Sequence, residues 1–282
     1  MAGLLSGLAG LGLNNLENME IFEEPKKEST SETVQDIPKV EEKDLIFDKT
    51  FECPVCGRHF TSKIMKTGKA KLLSTDQDLR AKYEGIDSVK YDVYLCPHCG
   101  YAALSRFFPN IVSAQARLVR ENISKNVRLT TYKDEIYTYE EALERYQLTL
   151  ANAVVKRAKA SEKAYVCLKS AWLVRGYQEY LEETGGNQTK IEELKQMEDQ
   201  YLQNAFTGFV EARQTESFPM CGMDEVTIDY LIAVLATRFK KYEVASKLVA
   251  NILVSPSANV RTKDKARDLK DQILTEIRNQ KK

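Results

Sequence analysis

The chain has 282 residues, with 41 Lys and Arg balanced by 41 Asp and Glu. That balance excludes a wholesale nucleic-acid coat and an acidic disordered protein. An apolar content of 43% suffices for a real core in one large or two modest domains, and no apolar run reaches the roughly 18 residues of a membrane-spanning helix.

Residues 1–20, MAGLLSGLAGLGLNNLENME, are rich in Gly and Leu. No Lys or Arg precedes the apolar part and no clear cleavage site follows, so the stretch does not read as a signal peptide. Leu4, Leu8 and Leu11 would line one side of a short helix, but each of Gly3, Gly7, Gly10 and Gly12 costs about 1 kcal/mol relative to Ala. The plain expectation is a mobile tail. The alternative is a segment that orders on its own domain, on a partner or on a membrane surface. Residues 20–44 carry nine acidic residues and four Lys and almost no aromatics. Such a stretch cannot bury enough surface to fold, so residues 1–44 read as a flexible tail and acidic linker.

Residues 45–108 contain the strongest chemical signal. Cys53 and Cys56 lie in FECPVCGRHF, and Cys96 and Cys99 in YLCPHCGYAA. Each pair has the form Cys-Pro-x-Cys-Gly. The prolines pre-set the first turn angle, and the glycines permit a positive φ or a close backbone approach. Two such knuckles read as one closed tetrahedral zinc site. The spacer between them exceeds the usual roughly 15–20 residues, which implies an insertion. Dithiol redox chemistry would need the first pair to open a helix after a strand, whereas GRHFTSK reads as a hairpin continuation. His59 and His98, the only histidines, flank the knuckles as alternative ligands or neighbours of the site.

The flanking LIFDKTFECP and HFTSKIMKTG should form a β-hairpin. SVKYDVYLCP alternates Val89, Tyr91, Val93 and Leu95 with polar residues, the period of a strand. TDQDLRAKYEG between them reads as a helical turn or a loop packed over the sheet. Lys63, Lys66, Lys69 and Lys71 cluster after the first knuckle. With Arg106 and the possible stacking groups Phe60, Tyr91 and Tyr94, they offer a nucleic-acid surface; a solvated lysine loop is the plainer alternative.

The run CPVCGRHF, followed by YEGIDSVKYDVYLCPHCGYAA, resembles the bacterial domain-of-unknown-function 2225 family. The resemblance rests on Cys53, Cys56, Cys96 and Cys99, on Tyr83-Glu84-Gly85 and on Tyr91-Asp92-Val93. It covers the zinc module closely and the rest loosely. It implies zinc binding and a following helical region, and it implies no activity.

Residues 109–282 read as successive helices. NIVSAQARLVRENISKNVR is amphipathic. Thr138 and Glu141 form a capping-box pattern, Gly185-Gly186 breaks a long helix, and SFPMCG breaks another. Ala233, Ala236, Tyr242, Ala245 and Pro256 fall near tetratricopeptide-repeat positions. With fainter echoes upstream, they suggest a TPR-like solenoid of three degenerate helical hairpins, capped by the polar helix 259–280. The alternative is a plain helical bundle. Cys167, in an apolar helical run, reads as a buried free thiol.

The expected fold is therefore mainly α, a small β zinc ribbon followed by TPR-like helices. No Ser-His-Asp set and no phosphate-binding loop is present. The leading expectation is a cytoplasmic, non-enzymatic interaction module with a structural zinc ion, binding a protein or peptide through Tyr165, Trp172, Tyr201 and Phe209. The alternatives are nucleic-acid binding through the basic ribbon and a zinc- or thiol-dependent enzyme.

Overall fold

A computed structural model describes residues 40–129 and 134–280. The Gly/Leu-rich segment and nearly all of the acidic linker lie outside the described residues.

Three antiparallel strand pairs precede the long helices. β1 (Ile46–Glu52) pairs with β2 (His59–Met65), Ile46 opposite Met65 and Glu52 opposite His59. The first knuckle is the turn between them, as the flanking strand patterns predicted. β5 (Val93–Leu95) pairs with β6 (Ala102–Leu104) around the second knuckle. The insertion folds as its own hairpin, β3 (Leu72–Thr75) with β4 (Ala81–Tyr83). Within the stretch expected to be a helical turn or a loop, residues 76–80 form the hairpin loop and Ala81–Tyr83 form a strand instead.

The predicted strand through Val89 is interrupted for a local reason. Asp87 Oδ1 accepts from Val89 N at 3.1 Å and starts a short 3-10 turn over Ser88–Tyr91. An Asx cap of this kind competes with extended backbone. Alternation at positions 89–95 thus reflects burial on two sides of a turn and a short strand.

Among the described residues seven α-helices follow. α1 (Ser113–Val119) continues into a wider π turn over Arg120–Ser124. α2 (Tyr139–Val155) starts where Thr138 Oγ1 accepts from Glu141 N at 3.1 Å. The capping box is only half made, because the Glu141 carboxylate accepts from Arg145 instead. α3 (Ala160–Thr184) ends at Gly185, with φ +70°. α4 (Gln188–Thr215) begins immediately, with Asn187 as its cap. α5 (Glu225–Arg238), α6 (Tyr242–Val254) and α7 (Val260–Gln280) complete the chain of helices. Each of α2 to α7 packs on its neighbour in sequence, as short connections between helices require.

The main core runs across the strands and the helices together. Val93, Ala102 and Leu104 share one apolar cluster with Tyr146 of α2, Leu168 of α3, Phe209 of α4 and Leu231 of α5. Small residues permit close helix approach within it: a Cβ added at Gly208 would lie 2.9 Å from Ala164 Cβ. Among the described residues no helix is long and apolar enough to cross a membrane.

Candidate metal centre

Both knuckles have the same local geometry, which follows from their shared sequence. In the first, Gly57 N donates to Cys53 O at 2.8 Å and Cys53 N to Arg58 O at 3.0 Å. In the second, Gly100 N donates to Cys96 O at 3.0 Å and Cys96 N to Tyr101 O at 2.9 Å. Gly57 and Gly100 take φ +71° and +70°, the left-handed region that favours glycine.

These turns aim four sulfurs at one point. The Sγ atoms of Cys53, Cys56, Cys96 and Cys99 all lie within 4.8 Å of one another. Cys53 and Cys99 are 3.6 Å apart, and Cys56 and Cys96 are 3.7 Å apart. A zinc–sulfur bond of about 2.3 Å in a regular tetrahedron requires a sulfur separation of about 3.8 Å. The pairs are far too distant for disulfides, whose S–S bond is about 2.05 Å, and all four are free thiols. The residues present therefore fit a tetrahedrally coordinated metal ion. Among the described residues this is the one such group of His, Cys, Asp or Glu.

Hydrogen bonds from Cys53 and Cys99 hold the Cys96 thiol far below the usual cysteine range. The hydrogen bond to Cys96 pushes Cys53 up, and Cys99 is raised by its bonds to Cys53 and Cys96. Several bare thiolates cannot crowd together this closely. A soft cation removes that limit and is the natural counter-charge for four thiolates.

The helical part holds both knuckles from behind. Arg120 Nη1 donates to Val55 O at 2.8 Å in the first. Asn152 Nδ2, on α2, donates to Gly100 O at 3.0 Å in the second. Phe60, Tyr101 and Phe108 pack around the sulfurs, and Tyr101 OH donates to Phe108 O at 3.0 Å. Lys156 is buried beside the Tyr101 ring and paired with Glu162 at 2.6 Å. Arg120, Asn152 and Lys156 carry no sequence signal that links them to cysteines so far upstream. Both histidines are exposed, and His98 Nε2 lies 3.1 Å from the His59 carbonyl. That nitrogen is then the protonated donor and cannot ligate a metal.

Residues 46–273 match the bacterial family described as "uncharacterized protein conserved in bacteria (DUF2225)". The chain belongs to the DUF2225 family. No curated protein and no solved structure matches it. In this DUF2225 protein the family match spans the four cysteines and helices α1 to α6 complete.

The other sequence candidates sit elsewhere. Tyr165 and Trp172 are buried on α3, and Phe209 on α4 has no exposed surface. Trp172 and Phe209 serve as core, while Tyr201 opens onto a groove between α2, α3 and α4 and the Tyr165 ring lines a separate concavity. Of the lysines, Lys63 Nζ lies 3.4 Å from Asp48 and Lys66 Nζ donates to Asp44 O at 2.8 Å. Lys69 and Lys71 are exposed. Phe60 and Tyr91 are buried. Cys167 is buried on α3, where burial raises its thiol to about 11.

Proposed function

We propose that this protein holds one structural zinc ion at Cys53, Cys56, Cys96 and Cys99, and that its helices form a scaffold for a segment of a partner protein. The sulfur spacing carries the first half. Four sulfurs fill a tetrahedron, which leaves no open position for a substrate or an activated water. The ion would then be structural, and the role we propose is non-enzymatic. Zinc thiolates beside the free thiols Cys167 and Cys221 suit a reducing cytoplasm.

The second half rests on a groove of about 520 Å³ with α3 as its floor and α2 and α4 as its walls. Leu150, Val154, Met197 and Tyr201 line it, and Val154 is 59% exposed. Its shape and apolar lining suit the apolar face of a partner helix. We read α5 and α6, of 14 and 13 residues, as one TPR-like hairpin, closed where Ala233, Ala236 and Ala245 are fully buried. α3 and α4, at 25 and 28 residues, are about twice that length. They would be the hairpin adapted to hold the groove.

The test uses the full chain, since the helices share a core with β5 and β6. Cross-linked capture from the native cytoplasm would compare wild type with Val154→Glu, after equal melting and equal zinc content are verified. A protein enriched by wild type and lost with the variant supports the reading; an identical or empty set removes it. Nucleic-acid binding through Lys63, Lys66, Lys69 and Lys71 stands second, because Lys63 and Lys66 are engaged locally.

A further inference from the structure

A second concavity, of about 450 Å³, lies between β2, the ends of β5 and β6, and α3. Two cations face it. Arg106 lies over the Tyr165 ring at 5.1 Å, and Lys169 lies over Tyr165 at 5.6 Å and Trp172 at 5.0 Å. Lys169 has a partner, Asp92 Oδ2 at 3.0 Å. Arg106 has no carboxylate partner among the described residues. Burial alone would lower the Lys169 pKa, and Arg106 pushes the same way, but Asp92 outweighs both and holds it raised.

The fold keeps Arg106 in place at some cost. The connection from α4 to α5 makes a tight turn in which Met220 N donates to Met223 O at 2.9 Å and Met223 N to Met220 O at 2.8 Å. That turn puts Cys221 and Gly222 at φ +52° and +75°. A Cβ at Gly222 would lie 2.7 Å from Arg106 Nη1. The SFPMCG break thus provides a seat for an exposed guanidinium that also lies over the Tyr165 ring. A cation held by aromatic and backbone contacts loses little side-chain entropy on meeting an anion.

We propose that this basin binds a small phosphate monoester bearing hydroxyl groups, such as a sugar or polyol phosphate. Arg106 supplies a planar fork and Lys169 a point charge, the usual pair for phosphate oxygens. Thr67 and Ser88 add hydroxyl donors at the wall. Asp92 accepts from a ligand hydroxyl and excludes a second anionic group. The concavity is of small-molecule size, which favours this ligand over a nucleic-acid backbone.

The chain's single Trp, Trp172, lies under Lys169 and reports on the site. Ribose 5-phosphate, ribose, inorganic phosphate and a single-stranded oligonucleotide would be titrated by calorimetry and by Trp172 fluorescence. The expected result is saturable ribose 5-phosphate binding, displaced by inorganic phosphate and at least about tenfold tighter than ribose. Arg106→Gln should weaken it at least about tenfold at an unchanged melting temperature. The wild-type fluorescence change stands as a readout independent of any variant. The proposal is overturned if ribose 5-phosphate does not bind by about 10 mM, or if a well-folded Arg106→Gln binds it equally. It is also overturned if only the oligonucleotide binds and Lys69→Glu abolishes that binding.

Discussion

Gly176, in the second half of α3, leaves the space that the Asp87 carboxylate occupies. A Cβ there would overlap Asp87 Oδ2 and come within 2.7 Å of Arg80 Nη2. Glycine in a helix interior costs about 1 kcal/mol relative to Ala. Here it lets a buried ion cluster sit directly on the helix. Arg80 lies 3.2 Å from Asp87 and 3.0 Å from Glu179, and Tyr139 OH donates to Asp87 at 3.2 Å. The adjacent Arg175 reaches Asp76, Asp78 and Glu198 at 3.0, 2.6 and 3.0 Å. The inserted hairpin is thereby clamped to α3.

Gly176→Ala should therefore destabilise despite its better helix propensity. Breaking one partner out of a buried ion pair costs about 3–5 kcal/mol, and a loss approaching that size is expected in chemical denaturation. Gly185→Ala, at the end of the same helix, serves as the comparison, because its Cβ would meet nothing within 4 Å and only the left-handed φ of +70° opposes it. A neutral or stabilised Gly176→Ala would show that the cluster tolerates the methyl group.

The two knuckle glycines should respond differently to Ala. At Gly57 a Cβ meets nothing within 4 Å, so only the left-handed φ opposes it, by about 1–2 kcal/mol. At Gly100 the Cβ would also lie 2.7 Å from Val127 Cγ1. Gly100→Ala should thus lose more stability and bind metal more weakly than Gly57→Ala, as measured by melting and by competition with a chelator. Equal losses would mean that Val127 moves aside freely.

What the sequence made legible was local. The Cys-Pro-x-Cys-Gly repeats, the Thr138 cap and the Gly185 stop depend on neighbours within five positions, so their meaning is written beside them. The role of the insertion was not legible. Arg80 and Lys82 meet Glu179 across 99 and 97 positions, and no periodicity marks such a partner. Aromatic content likewise could not separate Phe209, sealed in the core, from half-buried Tyr201 at a groove.

That contrast gives a prediction of its own. Phe209→Ala should cost about 3–5 kcal/mol whatever partner is present. Val154→Glu, at an exposed position on α2, should leave stability within about 0.5 kcal/mol. A large loss at Val154 would mean that the groove wall is structural.

Glu179 should contribute an acid limb to stability. Burial pushes its carboxyl up, but the Lys82 hydrogen bond and the Arg80 charge outweigh it and hold the pKa below the ordinary carboxylate value. A folded pKa below the unfolded one means that ionised Glu179 stabilises the fold above the unfolded pKa, about 4.3. That stabilisation is lost as pH falls through the folded value. Melting of Glu179→Gln and wild type should thus converge below about pH 4 and differ above it. A constant difference across that range would contradict the sign.

The metal content of the purified full chain tests the central claim most directly. Elemental analysis should find one zinc per chain, and Cys96→Ser should lower that content and the melting temperature together. Chelation at neutral pH should reproduce the loss, and lowering the pH should speed it, since the thiolates must take up protons as the metal leaves. A chain that folds with no stoichiometric metal, or a Cys96→Ser variant that holds zinc as tightly as wild type, would contradict the account.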